Sequence, residues 1–299
     1  MGTATVSGTV ELSGSSGAAI FLRQWGLDTD PPVLALHQLG IAGSSLHLAG
    51  LGLDLATSYG LRVLAPDLPG FGGSPPWPAE RYRPSELTGL LLSLLDRLGV
   101  AQVVCIGLSW GATLGCHLAA LAPERVSALV LLDAGHILPS DSPTFEPDVT
   151  LKERVRAADR SLSGFRFRRL EEALNRVSDD YPAWTPELEA SWTAGLRLHR
   201  GAVVPRLRPS TFGGAVDGLV AEPVSLTWPA LAASALPLLL LAADEPESAR
   251  GLQATARARF LAAVPQAEVR VLAGQRNDLV AGLGPALAPM VGEWLRSVL

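Results

Sequence analysis

A glycine-flanked serine lies between an apolar run and a helical pattern, in the segment Gly107-Leu108-Ser109-Trp110-Gly111, and it limits the chain to few folds. Val103–Val104 precede it, and apolar residues at helical spacing follow it until Pro123. In such a turn from strand to helix, the glycines let two backbones approach closely and the serine projects at the helix N-terminus. Unpaired N–H groups there favour developing negative charge. The flanking strand and helix therefore predict a nucleophile elbow.

Short strands and helices alternate on both sides of the serine. Residues 3–25 alternate as strands around a turn at Ser13–Gly17, and Val33–Leu36 is wholly apolar, as expected of a strand buried on both faces. From Ser85 to Gly99, leucines recur on one helical face. Strands that alternate with helices predict an α/β fold with a mostly parallel, doubly wound sheet.

The α/β alternation is interrupted between about Gly135 and Leu231, where strand signals vanish. The segment is polar, arginine-rich and helical in pattern, and one helix opens at Thr185 with Pro186 at its first position. Such an insertion is most simply a helical cap inserted after the strand that follows the elbow. The predicted organisation is core at 1–136, cap at 137–232 and core again at 233–299.

The composition is that of a folded soluble protein, with 48% apolar and 18% charged residues. A net charge of −5 without a basic cluster argues against nucleic acid, and the leucine-rich runs are too short to span a bilayer. Cys105 and Cys116 occupy buried-type positions, which predicts free thiols and a cytoplasmic location. No signal peptide, metal-ligand spacing or phosphate-binding loop is visible. We therefore expect a small-molecule substrate, no cofactor or metal, no membrane, and a monomer or homodimer.

Four motifs occur in order along the chain. They are Leu36-His37-x-x-Gly40, the loop 65–74 (Ala-Pro-Asp-Leu-Pro-Gly-Phe-Gly-Gly-Ser), the elbow 107–111, and Pro123-Glu124-Arg125-Val126 leading into Leu129–Asp133. With these motifs the chain resembles the α/β-hydrolase superfamily, in particular its capped branch of proline iminopeptidase-like, enol-lactonase-like and haloalkane dehalogenase-like enzymes. The resemblance spans nearly the whole chain outside the cap. It is more specific for the fold than for the chemistry.

The resemblance implies a nucleophile and an oxyanion hole. Ser109 corresponds to the nucleophile that attacks an acyl carbon to give an acyl-enzyme. The backbone N–H groups of Trp110 and Leu39 would hold the oxyanion. The residue after His37 is usually glycine in this family and is Gln38 here. Its side chain either lies at the pocket entrance as an amide donor or points to solvent.

The chain departs from the family at the general base. The family has a histidine in the loop after the last strand, and Arg276 falls at that position within Leu272–Leu279. A guanidinium stays protonated throughout the usable pH range, so it cannot accept the Ser109 proton as imidazole does. Arg276 can stabilise an alkoxide or oxyanion, pair with the acid, or form a structural ion pair in a site that has lost hydrolysis.

Among the five histidines, His136 is the best substitute base, because it follows the strand that ends at Asp133, on the same sheet edge as Ser109. His199 lies in the cap and reaches the pocket only if its helix overhangs it. The others are assigned to loop structure, core or surface: His37, His47 and His117.

Two positions compete for the acid. The family commonly places it after the strand that returns from the cap, where Asp244 and Glu245 stand, and dehalogenase-like members place it after the strand that follows the elbow helix, where Asp133 stands. We prefer Asp244 and keep Asp133 as the alternative. Trp184 is a candidate for lining the substrate pocket, although packing within the cap explains it equally well.

These residues predict a serine hydrolase of the esterase or lactonase type, acting on a small, largely apolar ester, thioester or lactone with a modified serine–acid–arginine triad. One alternative is a catalytically degenerate protein that binds a ligand in the same pocket. Another is a lyase, isomerase or cyclisation enzyme that uses the oxyanion hole and Arg276 as electrostatic catalysts.

Overall fold

The computed structural model describes residues 5–12, 19–143, 145–181 and 183–299, so the turn predicted at Ser13–Gly17 lies outside the described residues. The strands, in chain order, are β1 (Thr5–Glu11), β2 (Ala19–Trp25), β3 (Pro32–Leu36), β4 (Arg62–Pro66), β5 (Val103–Leu108), β6 (Val126–Leu132), β7 (Leu196–His199), β8 (Ala202–Pro205), β9 (Leu238–Ala243) and β10 (Glu268–Leu272).

Eight of these strands form one sheet, in the order β1-β2-β4-β3-β5-β6-β9-β10. Strand β2 is antiparallel to both of its neighbours, and the remaining pairs are parallel. The predicted mostly parallel, doubly wound sheet is thereby confirmed. The strand order reverses around β3 and β5, and ligands of such sheets bind at the carboxyl ends of the strands at that point.

Helices cover both faces of the sheet. One buried apolar cluster includes side chains of α2, α3 and α9, and the other includes side chains of α1 and α11. Strand β5 contributes to both clusters by alternation, with Val103 and Cys105 in the first and Val104 and Ile106 in the second. The helices are α1 (Ala49–Tyr59), α2 (Pro84–Arg97), α3 (Trp110–Leu121), α4 (Leu151–Ser163), α5 (Leu170–Ser178), α6 (Pro186–Ala194), α7 (Pro209–Ala221), α8 (Trp228–Ala233), α9 (Arg250–Ala263), α10 (Leu279–Leu283) and α11 (Leu287–Val298).

The leucine-faced helix predicted between Ser85 and Gly99 is α2. Its inward residues, among them Leu91 and Leu94, are buried against the sheet. Burial of each such side chain contributes about 2 kcal/mol. The helix ends before Gly99, which takes a left-handed φ of 66° that suits glycine.

The segment between β6 and β9 contains α4 to α8. Helix α6 begins as predicted, because the Thr185 hydroxyl accepts the N–H of Leu188 and Pro186 needs no donor at the first position. The prediction that this segment lacks strands is wrong, since β7 and β8 form an antiparallel hairpin. Its two turn residues, Arg200 and Gly201, both have positive φ, as tight hairpin turns require.

Helix α8 falls within the predicted cap but packs on the core. The Trp228 indole N–H donates to the carbonyl of Gly135 at 3.0 Å, and its ring contacts Phe260 of α9 edge to face. Trp228 is therefore a core residue, and the part of the insertion that covers the sheet edge ends before α8.

Candidate active site

Ser109 lies at the junction of β5 and α3 in a strained backbone conformation, with φ 52° and ψ −115°. The two glycines of the motif make this bend possible by close approach. A Cβ at Gly107 would lie 2.3 Å from the carbonyl oxygen of Gly111, and a Cβ at Gly111 would lie 2.2 Å from the carbonyl oxygen of Leu36. Side chains are excluded at both positions, so the sequence pattern follows from backbone packing.

The half-buried Ser109 hydroxyl has no hydrogen-bond partner among the described residues. Two backbone N–H groups beside it, those of Trp110 and Leu39, also have no protein acceptor within the described ranges. Trp110 is the first residue of α3, where the helix leaves N–H groups unpaired. Both residues line a cavity that contains Ser109.

His37 is held in place by the loop around it. Its Nδ1 lies 2.8 Å from the carbonyl oxygen of Gln38, and its Nε2 lies 3.0 Å from the backbone nitrogen of Leu68. A carbonyl can only accept and an N–H can only donate, so the ring is neutral with its proton on Nδ1. Burial lowers the pKa of His37, which agrees with this assignment. Both nitrogens are occupied, so His37 has a structural role.

The cavity above Ser109, called the main cavity, has a volume of about 750 Å³. One wall is the segment from Asp133 to Pro143, and the opposite wall is one face of α7. The α7 residues lie at helical spacing on that face, and they are apolar: Phe212, Val216, Leu219 and Val220. The main cavity therefore offers a largely apolar volume closed by the insertion, with Ser109 at its base.

Asp133 is one of three carboxylates that line the main cavity with Ser109, and the other two, Asp141 and Glu245, are paired with Arg259 and Arg250. Leu108 of β5 pairs with Leu132 of β6, so Ser109 and Asp133 are the next residues on two neighbouring strands, which lie about 4.8 Å apart in such sheets. Both have φ 52°. The Asp133 Oδ1 accepts the N–H of Ala243 at 2.8 Å, and burial raises the pKa of Asp133 to about 6.

Asp244, the preferred acid from the sequence, lies outside the residues that line the main cavity. Its carboxylate accepts the N–H of Gly274 at 2.7 Å and lies near Arg250. Glu245 does line the main cavity, but its carboxylate pairs with the same arginine. Asp133 thus lines the main cavity with Ser109, whereas Asp244 is directed towards the loop after β10.

Arg276 lines the main cavity and reaches the insertion. Its Nη1 donates to the carbonyl oxygen of Asp180 at 2.9 Å, and it forms no ion pair with any carboxylate in the described part of the chain. The guanidinium is exposed and connects the core loop to the cap. An ion pair with the acid, one of the roles considered for Arg276, is absent.

Asn277, which sequence reasoning passed over, lines both cavities that contain Ser109. The second of these, called the side cavity, has a volume of about 220 Å³ and is also lined by Gln38, Tyr181 and Asp278. Gln38 therefore faces a cavity, and its buried Oε1 has no partner among the described residues. In the sequence, Asn277 is marked as a candidate only by its place next to Arg276. A shift of one residue in a loop changes which side chain points into the cavity.

His47, predicted for the core or the surface, is buried next to the side cavity. Its Nε2 lies 3.0 Å from the Asp278 Oδ1, and its Nδ1 lies 3.4 Å from the Ser191 hydroxyl. Burial and the Asp278 carboxylate raise the pKa of Tyr181 to about 12. These residues come from distant parts of the chain, so no local pattern could have brought them together.

Two residues predicted for the pocket lie elsewhere. His136 is fully buried and is not among the residues that line the main cavity, although Ala134 and Ile137 are, and burial lowers its pKa to about 4. The Trp184 indole N–H donates to Glu189, and Trp184 lines a separate recess on α6. Both predictions are corrected, because His136 is packed in the core and Trp184 lines a recess that does not include Ser109. His199 is exposed on β7.

The described residues include no group of three or more His, Cys, Asp or Glu side chains that could hold a metal ion. Within the same residues, no helix has both the length and the hydropathy needed to cross a membrane.

Comparisons with known proteins agree with this architecture. A family model described as the alpha/beta hydrolase fold matches residues 31–192, more than half of the chain. An epoxide hydrolase from Caballeronia sordidicola is 29% identical over 144 residues, which are 48% of this chain and 41% of that protein. Lipase LipV from Mycobacterium tuberculosis (strain ATCC 25618 / H37Rv) is 43% identical over 74 residues, which are 24% of this chain and 26% of that protein. The matched segments thus span less than half of either relative.

A solved structure, the thioesterase domain from the curacin biosynthetic pathway, superposes with a TM-score of 0.73 at 22% identity, and the match covers 96% of this chain and 99% of that chain. The fold is therefore shared over nearly the whole length. Together with the family model, this agreement shows that the chain belongs to the α/β-hydrolase fold family.

Proposed function

We propose that the protein is a serine hydrolase that acts on a small, largely apolar carboxylic ester, thioester or lactone through an acyl-enzyme on Ser109. The observation that carries the proposal is the position of the Ser109 hydroxyl, half-buried at the start of α3 and at the base of the main cavity. A volume of about 750 Å³ lies within the range of small-molecule sites.

In the proposed reaction the Ser109 oxygen attacks the acyl carbon, and the bond to the leaving alcohol or thiol breaks after a tetrahedral intermediate. The N–H groups of Leu39 and Trp110 stabilise the negative oxygen of that intermediate. Water then attacks the serine ester and releases the acid. Each loss of an oxyanion donor in such sites costs about 3 kcal/mol of transition-state stabilisation.

Asp133 is proposed to accept the Ser109 proton and return it to the leaving group. The support is its place on the neighbouring strand end and in the same cavity. With its pKa raised to about 6, Asp133 is a stronger base than an ordinary carboxylate and is still ionised at neutral pH. It takes the proton that Arg276 cannot take.

Arg276 is proposed to act as a fixed cation at the rim of the main cavity. A guanidinium favours the carboxylate product and the negative charge that develops during acyl transfer. Its bond to the Asp180 carbonyl also holds the insertion over the cavity. Asp244 then supports the loop that carries Arg276 and Asn277, through its bond to Gly274.

An acyl substrate fits this nucleophile better than an epoxide, the substrate that the names of several curated relatives indicate. A serine that opened an epoxide would be left as an ether, which has no carbonyl for water to attack. A serine ester retains that carbonyl, so the enzyme can turn over. We also infer a cytoplasmic location, because both cysteines are buried free thiols.

The test is a panel of p-nitrophenyl esters and thioesters of increasing acyl length, assayed with the native protein and with Ser109→Ala. We expect activity with short to medium apolar acyl groups, and a loss of about 10³-fold or more in the variant. An epoxide in the same panel should give no diol. Equal rates for the two proteins would contradict the proposal and favour the alternative, a protein of this fold that binds a ligand without catalysis.

A further inference from the structure

A third cavity, called the arginine cavity, lies where the insertion meets the core and has a volume of about 200 Å³. The insertion contributes Arg197, Arg206 and Arg208, and the core contributes the loops around Ser44 and Gly72. The two parts are in close contact here, since a Cβ at Gly195 would lie 2.0 Å from the carbonyl oxygen of Ile41. Ile41 also lines the side cavity, so one loop separates the arginine cavity from a cavity that contains Ser109.

The three arginines have no carboxylate partner among the described residues, and no Asp or Glu lines the arginine cavity. Asp67 stands on an adjacent loop, but its oxygens accept the N–H groups of Ser45 and Gly73. All three arginines are exposed, so solvent screens their mutual repulsion, and a bound anion would offset the part that remains. The arginine cavity therefore carries a local excess of positive charge within a chain of net charge −5, and a bound anion would balance that charge.

Arg208 adds a second unfavourable electrostatic interaction. It immediately precedes the first turn of α7, the end at which the helix dipole disfavours a cation. Arg206 is already fixed, because its Nε donates to the carbonyl of Leu196 at 2.8 Å while its outer nitrogens stay available. A bound anion would offset both the repulsion and the dipole.

Ser44 supplies an independent sign of a ligand. Ser44 is 6% exposed and lines the arginine cavity, yet its hydroxyl has no hydrogen-bond partner in the described part of the protein. It precedes a short 3₁₀ turn at Ser45–Leu48 without capping it. A buried hydroxyl left unpaired costs about 1–3 kcal/mol, and a ligand oxygen would recover this once the Ser44 side chain rotates towards the cavity.

We propose that the arginine cavity binds a phosphate group, held by Arg197, Arg206 and Arg208 with the Ser44 hydroxyl as a further donor. Planar guanidinium forks match the several oxygens of a phosphate, and a doubly charged anion balances three cations better than a carboxylate does. Because donors come from both the insertion and the core, the bound phosphate joins the two beside the Ser109 site. The group is either a free phosphate ion or the phosphate of an organic ligand.

The experiment measures binding of inorganic phosphate and of glycerol 3-phosphate to the full-length protein, by calorimetry and by the change in Tm against chloride at equal ionic strength. The triple variant Arg197→Gln/Arg206→Gln/Arg208→Gln should bind phosphate about tenfold more weakly or worse, and Ser44→Ala about fivefold more weakly. Arg168→Gln, an exposed cap arginine outside the cavity, is the matched control and should bind as the native protein does.

Tenfold tighter binding of glycerol 3-phosphate than of inorganic phosphate would identify the phosphate of an organic ligand, and equal binding would identify the free ion. If the triple variant does not fold, Arg197→Gln alone serves, since Arg197 is exposed on β7. The proposal is overturned if phosphate does not bind the native protein, or if it raises the Tm of native and variant proteins equally. Neither outcome affects Ser109, because the readout does not depend on turnover.

Discussion

The end of β5 and the loop after β10 meet at one cavity, and they differ in how far they keep the pattern of the family. At the end of β5, Ser109 has the expected strained backbone, and both flanking glycines are in contact with neighbouring backbone. In the loop after β10, the positions around the expected histidine carry Arg276, Asn277 and Asp278. The elbow motif is kept, whereas the loop after β10 has Arg276 where the resemblance implies a histidine.

The contrast separates the part of the site that depends on the backbone from the part that depends on side chains. The elbow needs glycine for steric reasons, so any substitution there would disturb β3, β5 and α3 together. The loop after β10 is supported through its backbone, because the Gly274 N–H donates to Asp244 and the Gln275 carbonyl accepts from the backbone of Asp244 and Glu245. These bonds tolerate many side chains at the tip. A new proton acceptor could therefore arise elsewhere in the cavity without loss of the fold.

The largest expected effect is on the elbow. Gly111→Ala should destabilise the protein by about 3 kcal/mol or more, because the new Cβ meets a backbone carbonyl that cannot move aside. Urea unfolding followed by tryptophan fluorescence measures the change. The control, Gly89→Ala on the exposed side of α2, meets nothing within 4 Å and should stabilise by about 0.5–1 kcal/mol. Equal effects of the two variants would show that close packing does not shape the elbow.

The next largest effect is on proton transfer. Asp133→Asn keeps the acceptor for the Ala243 N–H but removes the base, so kcat/KM should fall about 10²- to 10⁴-fold. The native kcat/KM should rise with pH through an apparent pKa of about 6, as Asp133 ionises. A flat profile between pH 5 and 7 would exclude Asp133 as the base.

The same substitution should make the protein more stable at neutral pH. The folded Asp133 keeps its proton up to about pH 6, whereas the unfolded carboxyl releases it near the usual 3.8. The folded state therefore binds more protons between these values, and the free energy of unfolding contributed by Asp133 falls as pH rises from about 4 to 6 and stays low above. Asp133→Asn should recover about 3 kcal/mol at pH 7, and little at pH 3. Thermal unfolding at both pH values measures this.

A smaller effect should show which position in the loop after β10 can carry a histidine base. The sequence pattern aligns Arg276 with the family histidine, but Asn277 lines both Ser109 cavities. Asn277→His should therefore raise esterase kcat/KM by about 10²-fold at pH 8, and Arg276→His should raise it less. The reverse ranking would place Arg276 at the base position, as the sequence alone suggests.

The smallest effect is expected for Asp244. Asp244→Asn retains the acceptor for the Gly274 N–H, so kcat/KM should change by less than about threefold. A loss as large as that of Asp133→Asn, in the same ester assay, would make Asp244 the acid.

Sequence reasoning predicted those parts of the molecule whose structure is determined by interactions between neighbouring residues in the chain. The α/β alternation, the leucine face of α2, the Thr185 cap and the elbow each follow from neighbouring residues, and the structure contains them. The β7–β8 hairpin was missed because Arg200 at a positive φ is an uncommon turn residue. The contact of His47 with Asp278 joins residues far apart in the chain, so the periodic pattern of the sequence cannot predict it.

Side-chain direction was the other obstacle. His136 and Trp184 lie in the predicted segments, but His136 is packed in the core, the Trp184 indole donates to Glu189, and Asp244 is directed to Gly274. Sequence spacing places a residue at a strand end without fixing where its side chain points. Sequence spacing thus selects Ser109, Leu39 and Trp110 as candidates, and the fold adds that Asp133 lines their cavity and Asp244 does not.

The most direct measurement is intact-protein and peptide mass spectrometry after rapid acid quenching of the protein with a p-nitrophenyl ester that it turns over. The account predicts that the mass increases by one acyl group, that the acyl group lies on the peptide containing Ser109, and that Ser109→Ala shows no increase. Ester turnover without an adduct, or with the acyl group on another residue, would contradict it.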